Sequence, residues 1–252
     1  MKILLSPAKL MSMESSSEWS QRTQPEYIER SNQLQTILKE YNPSELEKLL
    51  DISPKLSKEN WERNQAWKAK PSNNESLQAV LAFKGEVYRG LEAESLSKKG
   101  LDYLQKNLFI LSGLYGLLKP SDVVMPYRLE MGKKLKTGNS KDLYEFWGET
   151  LTTHLKSTLK KDEPIINLAS KEYFKVLNTK ELNHPIIEVD FKDFKDGKLK
   201  SIMMYFKNAR GKMTRWCAEN EIKKVEDLKT YHEDGYEFSE KNSDDTRLVF
   251  IR

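Results

Sequence analysis

The sequence is poor in cysteine and histidine. Cys217 is the single cysteine among 252 residues, so the chain forms no internal disulfide and carries no sign of an oxidising compartment. The three histidines, His154, His184 and His232, are far apart, and no pair has the spacing of metal ligands. We therefore expect no zinc or iron site built from these side chains, and no cofactor.

Long apolar runs and low-complexity segments are also absent. The first apolar run, Ile3 to Leu5, is too short for a signal peptide, and nowhere do eighteen apolar residues follow one another. With 38% hydrophobic and 32% charged residues, nine prolines and eleven glycines, the composition excludes collagen-like and largely disordered proteins. We expect a cytoplasmic, monomeric protein without a membrane partner.

Short apolar segments alternate with amphipathic ones. The turn residues Asp196-Gly197 predict a β-hairpin whose two strands are residues 186–194 and 198–206. The other predicted strands are residues 2–5, 108–111, 164–170 and 246–251. Helices are predicted between them, including 77–83, 97–106, 143–159 and 208–220. About six strands of mixed order interleaved with helices predict an α/β (mixed α+β) fold that forms one compact domain over residues 1–252.

The net charge of +4 conceals a strong segregation of charge along the chain. Residues 198–224 hold eight basic and two acidic residues, a net charge of +6, and residues 128–141 have a net charge of +4. The tail from residue 225 onward has a net charge of −4. For one helix a solvated face is the commoner explanation, but two such windows in one domain favour an anionic partner such as nucleic acid. The candidate phosphate-binding residues of these windows are Arg128, Lys207, Arg210, Lys212 and Arg215.

Residues 44–68 are predicted to form two short helices joined by the tight hairpin Asp51-Ile52-Ser53-Pro54. Ser44 as N-cap with Glu47 three residues later predicts a capping box at the start. This is the layout of a helix-hairpin-helix, whose free backbone N–H groups hold a DNA phosphate without reading sequence. An ordinary corner between two helices is the alternative, since the usual hairpin glycines are missing. The candidate DNA-binding residues are Ser53, Lys55, Lys58 and Arg63.

Several polar residues follow predicted strands or turns, and loops at strand ends converge on one crevice in α/β sheets. The candidate pocket residues are Lys9, Lys84, Tyr115, Arg128, Glu130 and Ser170. A buried lysine beside a carboxylate is able to act as a base or a Schiff-base nucleophile, which makes Lys84, Glu130 and Glu172 the catalytic candidates. Taken singly, each lysine is more often a surface residue or a member of a structural ion pair.

Seven segments together resemble one family. They are SPAK at 6–9, LAFKGEVYRGL at 81–91, LSGLYGLLKP at 111–120, PYRLEMG at 126–132, DLYEFWG at 142–148, INLASKEYF at 166–174 and KNARG at 207–211. In this order they resemble the bacterial YaaA family of peroxide-stress-response proteins over essentially the whole chain. The resemblance implies a fold largely specific to the family, a positively charged cleft, a helix-hairpin-helix and DNA binding. It also implies a role in limiting intracellular iron and oxidative DNA damage, and we expect the iron effect to be indirect.

Three functional hypotheses follow. The first is a protein that binds duplex or structured DNA with weak sequence preference, through residues 44–68 and the basic cleft. The second is a nucleobase- or nucleotide-processing enzyme, similar to a glycosylase or lyase, with a lysine–carboxylate pocket. The third is a module whose basic face binds an acidic protein partner.

Overall fold

Five parallel strands form the centre of the structure, a computed structural model that describes residues 1–252. The strands are β1 (Lys2–Leu5), β2 (Leu10–Met11), β3 (Leu77–Gln78), β4 (Phe83–Lys84), β5 (Leu108–Ser112), β6 (Gly116–Leu118), β7 (Val123–Val124), β8 (Ile165–Asn167), β9 (Ile186–Lys195), β10 (Lys198–Lys200), β11 (Glu237–Phe238) and β12 (Arg247–Ile251). The main sheet has the order β11-β12-β9-β8-β1-β5-β6, with β10 paired to β9. Neighbours from β12 to β5 are parallel, whereas β6, β10 and β11 are antiparallel to theirs. The mixed α/β fold is therefore confirmed.

The helices surround this sheet. They are α1 (Ile28–Glu40), α2 (Pro43–Leu50), α3 (Pro54–Ala66), α4 (Ala79–Ala82), α5 (Glu86–Leu91), α6 (Lys98–Asn107), α7 (Leu143–Ser157), α8 (Lys171–Phe174), α9 (Thr179–Leu182), α10 (Met203–Glu219) and α11 (Val225–Leu228). Because helices cover both faces, β5 and β8 are buried at every residue and read as continuous apolar runs. One hydrophobic core extends from Met1 to Phe250, as one compact domain requires. None of the helices combines the length and the apolar character needed to cross a bilayer.

Four local predictions are wrong in detail. Only Ala79–Ala82 of the predicted helix 77–83 is helical, because both flanks pair as short strands. The second hairpin strand ends at Lys200, and α10 begins at Met203, five residues before the predicted start. The sheet has eight strands rather than about six, and two further two-stranded sheets exist. The extra strands have two or three residues, too few for a periodic pattern.

The fourth wrong prediction is the capping box at Ser44, because the structure has this box at Asn42 and Glu45. The Asn42 side chain accepts a hydrogen bond from Glu45 N at 3.0 Å, and the Glu45 carboxylate accepts one from Asn42 N at 2.8 Å. Pro43 occupies the first helical position, which suits its fixed φ and missing N–H, so the residue before it becomes the N-cap.

Two glycines bring α5 and α10 into backbone contact. A Cβ added at Gly211 would lie 1.8 Å from the Val87 carbonyl oxygen, and one added at Gly90 would lie 2.2 Å from the Asn208 carbonyl oxygen. Any side chain at either position would therefore separate the helices. This contact fixes the position of α10 and of the basic residues that it carries.

Candidate functional site

The carboxyl ends of β8, β1 and β5 lie side by side at one edge of the sheet. The Ser6 hydroxyl oxygen, just after β1, accepts a hydrogen bond from Ser170 N, just after β8, at 2.8 Å. The Tyr88 hydroxyl donates to the Ser6 carbonyl oxygen at 2.9 Å. This edge is where ligands bind in open α/β sheets.

Glu130 is the centre of a charged cluster at this edge, which we call the strand-end cluster (Lys9, Arg128 and Glu130). Its side chain is buried, and its Oε1 atom lies 3.2 Å from Lys9 Nζ and 3.2 Å from Arg128 Nη2. The second oxygen, Oε2, is buried without any hydrogen-bond partner. The cluster has two cations for one carboxylate, and one acceptor oxygen of that carboxylate remains free.

Gly113 allows the chain that carries Glu130 to pass over the end of β5. A Cβ at this glycine would lie 2.2 Å from the Leu129 carbonyl oxygen. The loop after β5 and the segment 128–130 are therefore packed backbone against backbone. This close approach is what holds Arg128 and Glu130 beside the end of β1.

The other catalytic candidates are engaged elsewhere. Lys84 pairs with Glu94 at 2.8 Å, although its backbone pairs with Leu10, the residue after Lys9. The Glu172 carboxylate accepts a hydrogen bond from Gly132 N at 3.0 Å. Lys9 is thus the lysine that reaches Glu130, and sequence reasoning had no signal to prefer it over Lys84.

Tyr115 lies inside the protein rather than in the crevice. Its hydroxyl oxygen accepts hydrogen bonds from Trp67 Nε1 at 2.9 Å and from Met125 N at 3.1 Å. Burial raises the pKa of Tyr115 to about 12. Its ring packs edge-on against Tyr127 at a centroid distance of 5.2 Å. Tyr115 therefore connects Trp67, at the end of α3, with Tyr127, the residue before Arg128.

A cavity of about 460 Å³ lies next to this edge, between β8, β9 and α10; we call it the Arg210 cavity. Six of its polar or charged lining residues are Asn167, Lys171, Glu188, Asp190, Arg210 and Arg247. Of these, sequence reasoning selected only Arg210. The one available signal was that Glu188 and Asp190 alternate with buried residues on β9, which places both carboxylates on the same face.

The helix-hairpin-helix-like segment consists of α2 and α3, which pack together through Leu46 and Leu50. Asp51 adopts the left-handed conformation that ends α2, and the Ser53 hydroxyl accepts a hydrogen bond from Leu56 N at 3.4 Å. Lys55 and Lys58 are exposed and have no carboxylate partner within salt-bridge distance. Arg63, by contrast, pairs with Glu59 on the same helix.

Carboxylates neutralise two of the four basic residues on α10. Lys212 pairs with Asp234 at 2.6 Å, so the acidic tail folds onto the basic helix. Arg215 pairs with Glu219 at 2.8 Å and donates to the Glu92 carbonyl oxygen at 2.9 Å. Lys207 remains exposed and without an ion pair.

The other basic window is more available. Arg128 is bound to Glu130, but the loop that follows carries Lys134, Lys136 and Lys141, all exposed and free of ion pairs. This loop continues directly from the strand-end cluster. Its cations therefore extend the positive charge of that edge, whereas Asp234 of the tail neutralises Lys212 of α10.

The fold and this edge define a mixed α/β protein with a lysine–arginine–glutamate cluster at the ends of its parallel strands. The family model described as peroxide stress protein YaaA matches residues 1–242. The chain therefore belongs to the YaaA family of peroxide stress proteins, as its motifs indicate. It is 46% identical to a UPF0246 protein of Flavobacterium johnsoniae over the full length of both chains. It is also 42% identical to a UPF0246 protein of a Marinomonas species, over the whole of this chain and 97% of the other.

Proposed function

We propose that this member of the peroxide stress family binds duplex or structured DNA through its phosphates, with little sequence preference. By doing so it limits oxidative DNA damage and, indirectly, intracellular iron. The observation that carries the proposal is the first turn of α3. Lys55 N makes no hydrogen bond there, and the ammonium groups of Lys55 and Lys58 are exposed and unpaired.

This first turn suits a phosphate for two reasons. A 13-residue helix has a partial positive charge at its N-terminus, and a free N–H donor there binds phosphate oxygens. Mobile lysine side chains add favourable energy because they release the counterions of DNA. Neither contact touches a base edge, so the proposal includes no base preference.

The lysines of the loop 133–141 and Lys207 are the further phosphate contacts of the proposal. Arg210 makes a smaller contribution in it because its Nε is buried. Arg128, Lys212 and Arg215 do so because carboxylates already hold their guanidinium or ammonium groups. A DNA phosphate would have to displace those partners. In this proposal most phosphate contacts therefore come from α3 and from the loop 133–141, which we call the lysine loop.

Salt-dependent binding of a fluorescent duplex tests this function. The slope of log K against log salt should become shallower by about 1.8 in the K55Q/K58Q double variant, since each lost phosphate contact removes roughly 0.9. Lys98 offers a matched control, because it is exposed at the first position of another serine-capped helix. K98Q should keep the wild-type slope, and an unchanged slope in K55Q/K58Q would remove α3 from the interface.

A second function, processing of a nucleobase or nucleotide, is supported by the strand-end cluster. A lysine amine beside a buried carboxylate with one free oxygen is a reasonable nucleophile and proton acceptor for an N-glycosidic bond or an abasic site. In this version Lys9 is the nucleophile and Glu130 the proton acceptor. Borohydride trapping on DNA with an abasic site should label Lys9, and K9R should abolish the adduct. A protein that remains unlabelled would refute the Schiff-base chemistry.

A further inference from the structure

The Arg210 cavity contains a cation without a partner. Arg210 Nε is buried and makes no hydrogen bond, and no carboxylate lies within salt-bridge distance of its guanidinium group. The guanidinium carbon lies 5.1 Å from the centre of the Phe206 ring. Arg210 is half-buried as a residue, and an enclosed Nε of a charged guanidinium is costly to desolvate unless an acceptor binds it. An anionic ligand group supplies what this arginine lacks.

Two further basic residues, Lys171 and Arg247, line the same cavity. Lys171 is exposed at the start of α8 and has no ion pair. Arg247 Nε is 3.7 Å from Asp190, which is a long contact that still leaves its other donors free. Three cations around one cavity suit a group with several negatively charged oxygens, such as a phosphate.

The cavity also contains carboxylates, so a simple anion does not complement it. Glu188 accepts a hydrogen bond from Asn167 Nδ2 at 2.8 Å, and Asp190 lies two residues further along the same face of β9. Carboxylates at a strand end accept hydrogen bonds from the hydroxyl groups of a ribose. Phe174 and Phe206 add apolar walls on which a planar ring is able to pack.

We propose that the Arg210 cavity binds a nucleoside monophosphate. The phosphate contacts Arg210 and Lys171, the ribose hydroxyls donate to Glu188 and Asp190, and the base packs against Phe174 and Phe206. A volume of about 460 Å³ is within the range of small-molecule sites. The site is separable from the DNA proposal, because α3 and the lysine loop contribute no residue to it and Arg210 is only a minor DNA contact.

Titration calorimetry with adenosine monophosphate, adenosine and inorganic phosphate tests the site. Adenosine monophosphate should bind with one site per chain and at least tenfold more tightly than either fragment. R210Q should weaken its binding at least tenfold, because a hydrogen-bonded charge is lost. K171Q and E188Q should each weaken it as well, and K171Q keeps the fold since Lys171 is exposed. K224Q, an exposed lysine outside the cavity, is the control and should bind like the wild type.

Three results would overturn the assignment. The first is that adenosine monophosphate shows no saturable binding to the wild type. The second is that R210Q and K171Q both bind this nucleotide with wild-type affinity. The third is that the wild type binds inorganic phosphate as tightly as the nucleotide. The K55Q/K58Q variant separates this site from the DNA surface. It should bind adenosine monophosphate normally even if duplex binding fails, and R210Q should fail to bind the nucleotide whether or not the protein binds DNA.

Discussion

Lys9 and Glu130 form an ion pair of 3.2 Å in which the two partners differ sharply in exposure. The Lys9 side chain is 64% exposed, whereas that of Glu130 is 6% exposed and also bound to Arg128, itself 14% exposed. The carboxylate therefore depends on its partners far more than Lys9 depends on it.

Substitution of these two residues should have unequal costs. E130Q leaves the mostly buried Arg128 guanidinium without a counterion and should lower the free energy of unfolding by about 2–3 kcal/mol. K9Q should cost less than about 1 kcal/mol, because Arg128 still neutralises Glu130 and solvent already screens Lys9. Urea denaturation measures both values. Equal costs would show that the cluster is not asymmetric.

The contact between α5 and α10 should not tolerate a side chain at Gly211. G211A forces the two helices apart at the Val87 carbonyl oxygen and should cost about 3 kcal/mol or more. G100A on α6 is the control, because its Cβ would meet the flexible end of the Leu96 side chain at 3.3 Å and otherwise make ordinary contacts at 3.6 Å. Because alanine has a higher helix propensity than glycine, the free energy of unfolding of G100A should stay within about 1 kcal/mol of the wild-type value. Thermal unfolding of both proteins checks this, and a stable G211A would contradict it.

Asp122 should give stability an unusual pH dependence. Burial raises the pKa of Asp122 to about 6, although hydrogen bonds from Thr23 and from Lys119 N oppose this shift. The folded protein then holds a proton that the unfolded chain has lost. Its contribution to stability therefore falls as pH rises from about 4 to about 6, by up to roughly 3 kcal/mol.

The comparison with D122N isolates this contribution, because all other titratable groups are common to both proteins. The difference in unfolding free energy between the wild type and D122N should change across that window and stay constant above pH 7. D245N, at an exposed position, should follow the wild-type profile. Parallel profiles for the wild type and D122N would mean that Asp122 titrates normally.

Cys217 should not react in the folded protein. It is 1% exposed on α10, and burial raises its pKa well above the usual value, so the reactive thiolate is scarce. Ellman's reagent and hydrogen peroxide should modify Cys217 only when denaturant unfolds the protein, and the rate of unfolding should then limit the reaction. Rapid oxidation of the native protein would instead make Cys217 a direct sensor of peroxide.

Local sequence predicted the elements whose pattern is continuous. The apolar runs at β1, β5 and β8 identified the centre of the sheet, because strands buried on both faces have apolar residues throughout. The turn at Ser53-Pro54 separated α2 from α3 correctly, since proline and a capping serine act through their own backbone. The two-residue strands β2, β3, β4, β7 and β11 escaped prediction because two residues are too few to show a periodic pattern.

Tertiary structure alone decided which charges meet. Lys9 and Lys84 are similar in sequence context, yet only Lys9 reaches Glu130, because strand order and the close approach at Gly113 place residues 128–130 beside the end of β1. Likewise, Asp234 of the acidic tail neutralises Lys212. The amino-acid sequence by itself determined the family, the mixed fold and which segments are basic or acidic. Which cations stay free for a ligand was decided by packing, since ion pairs form between neighbours in space rather than in sequence.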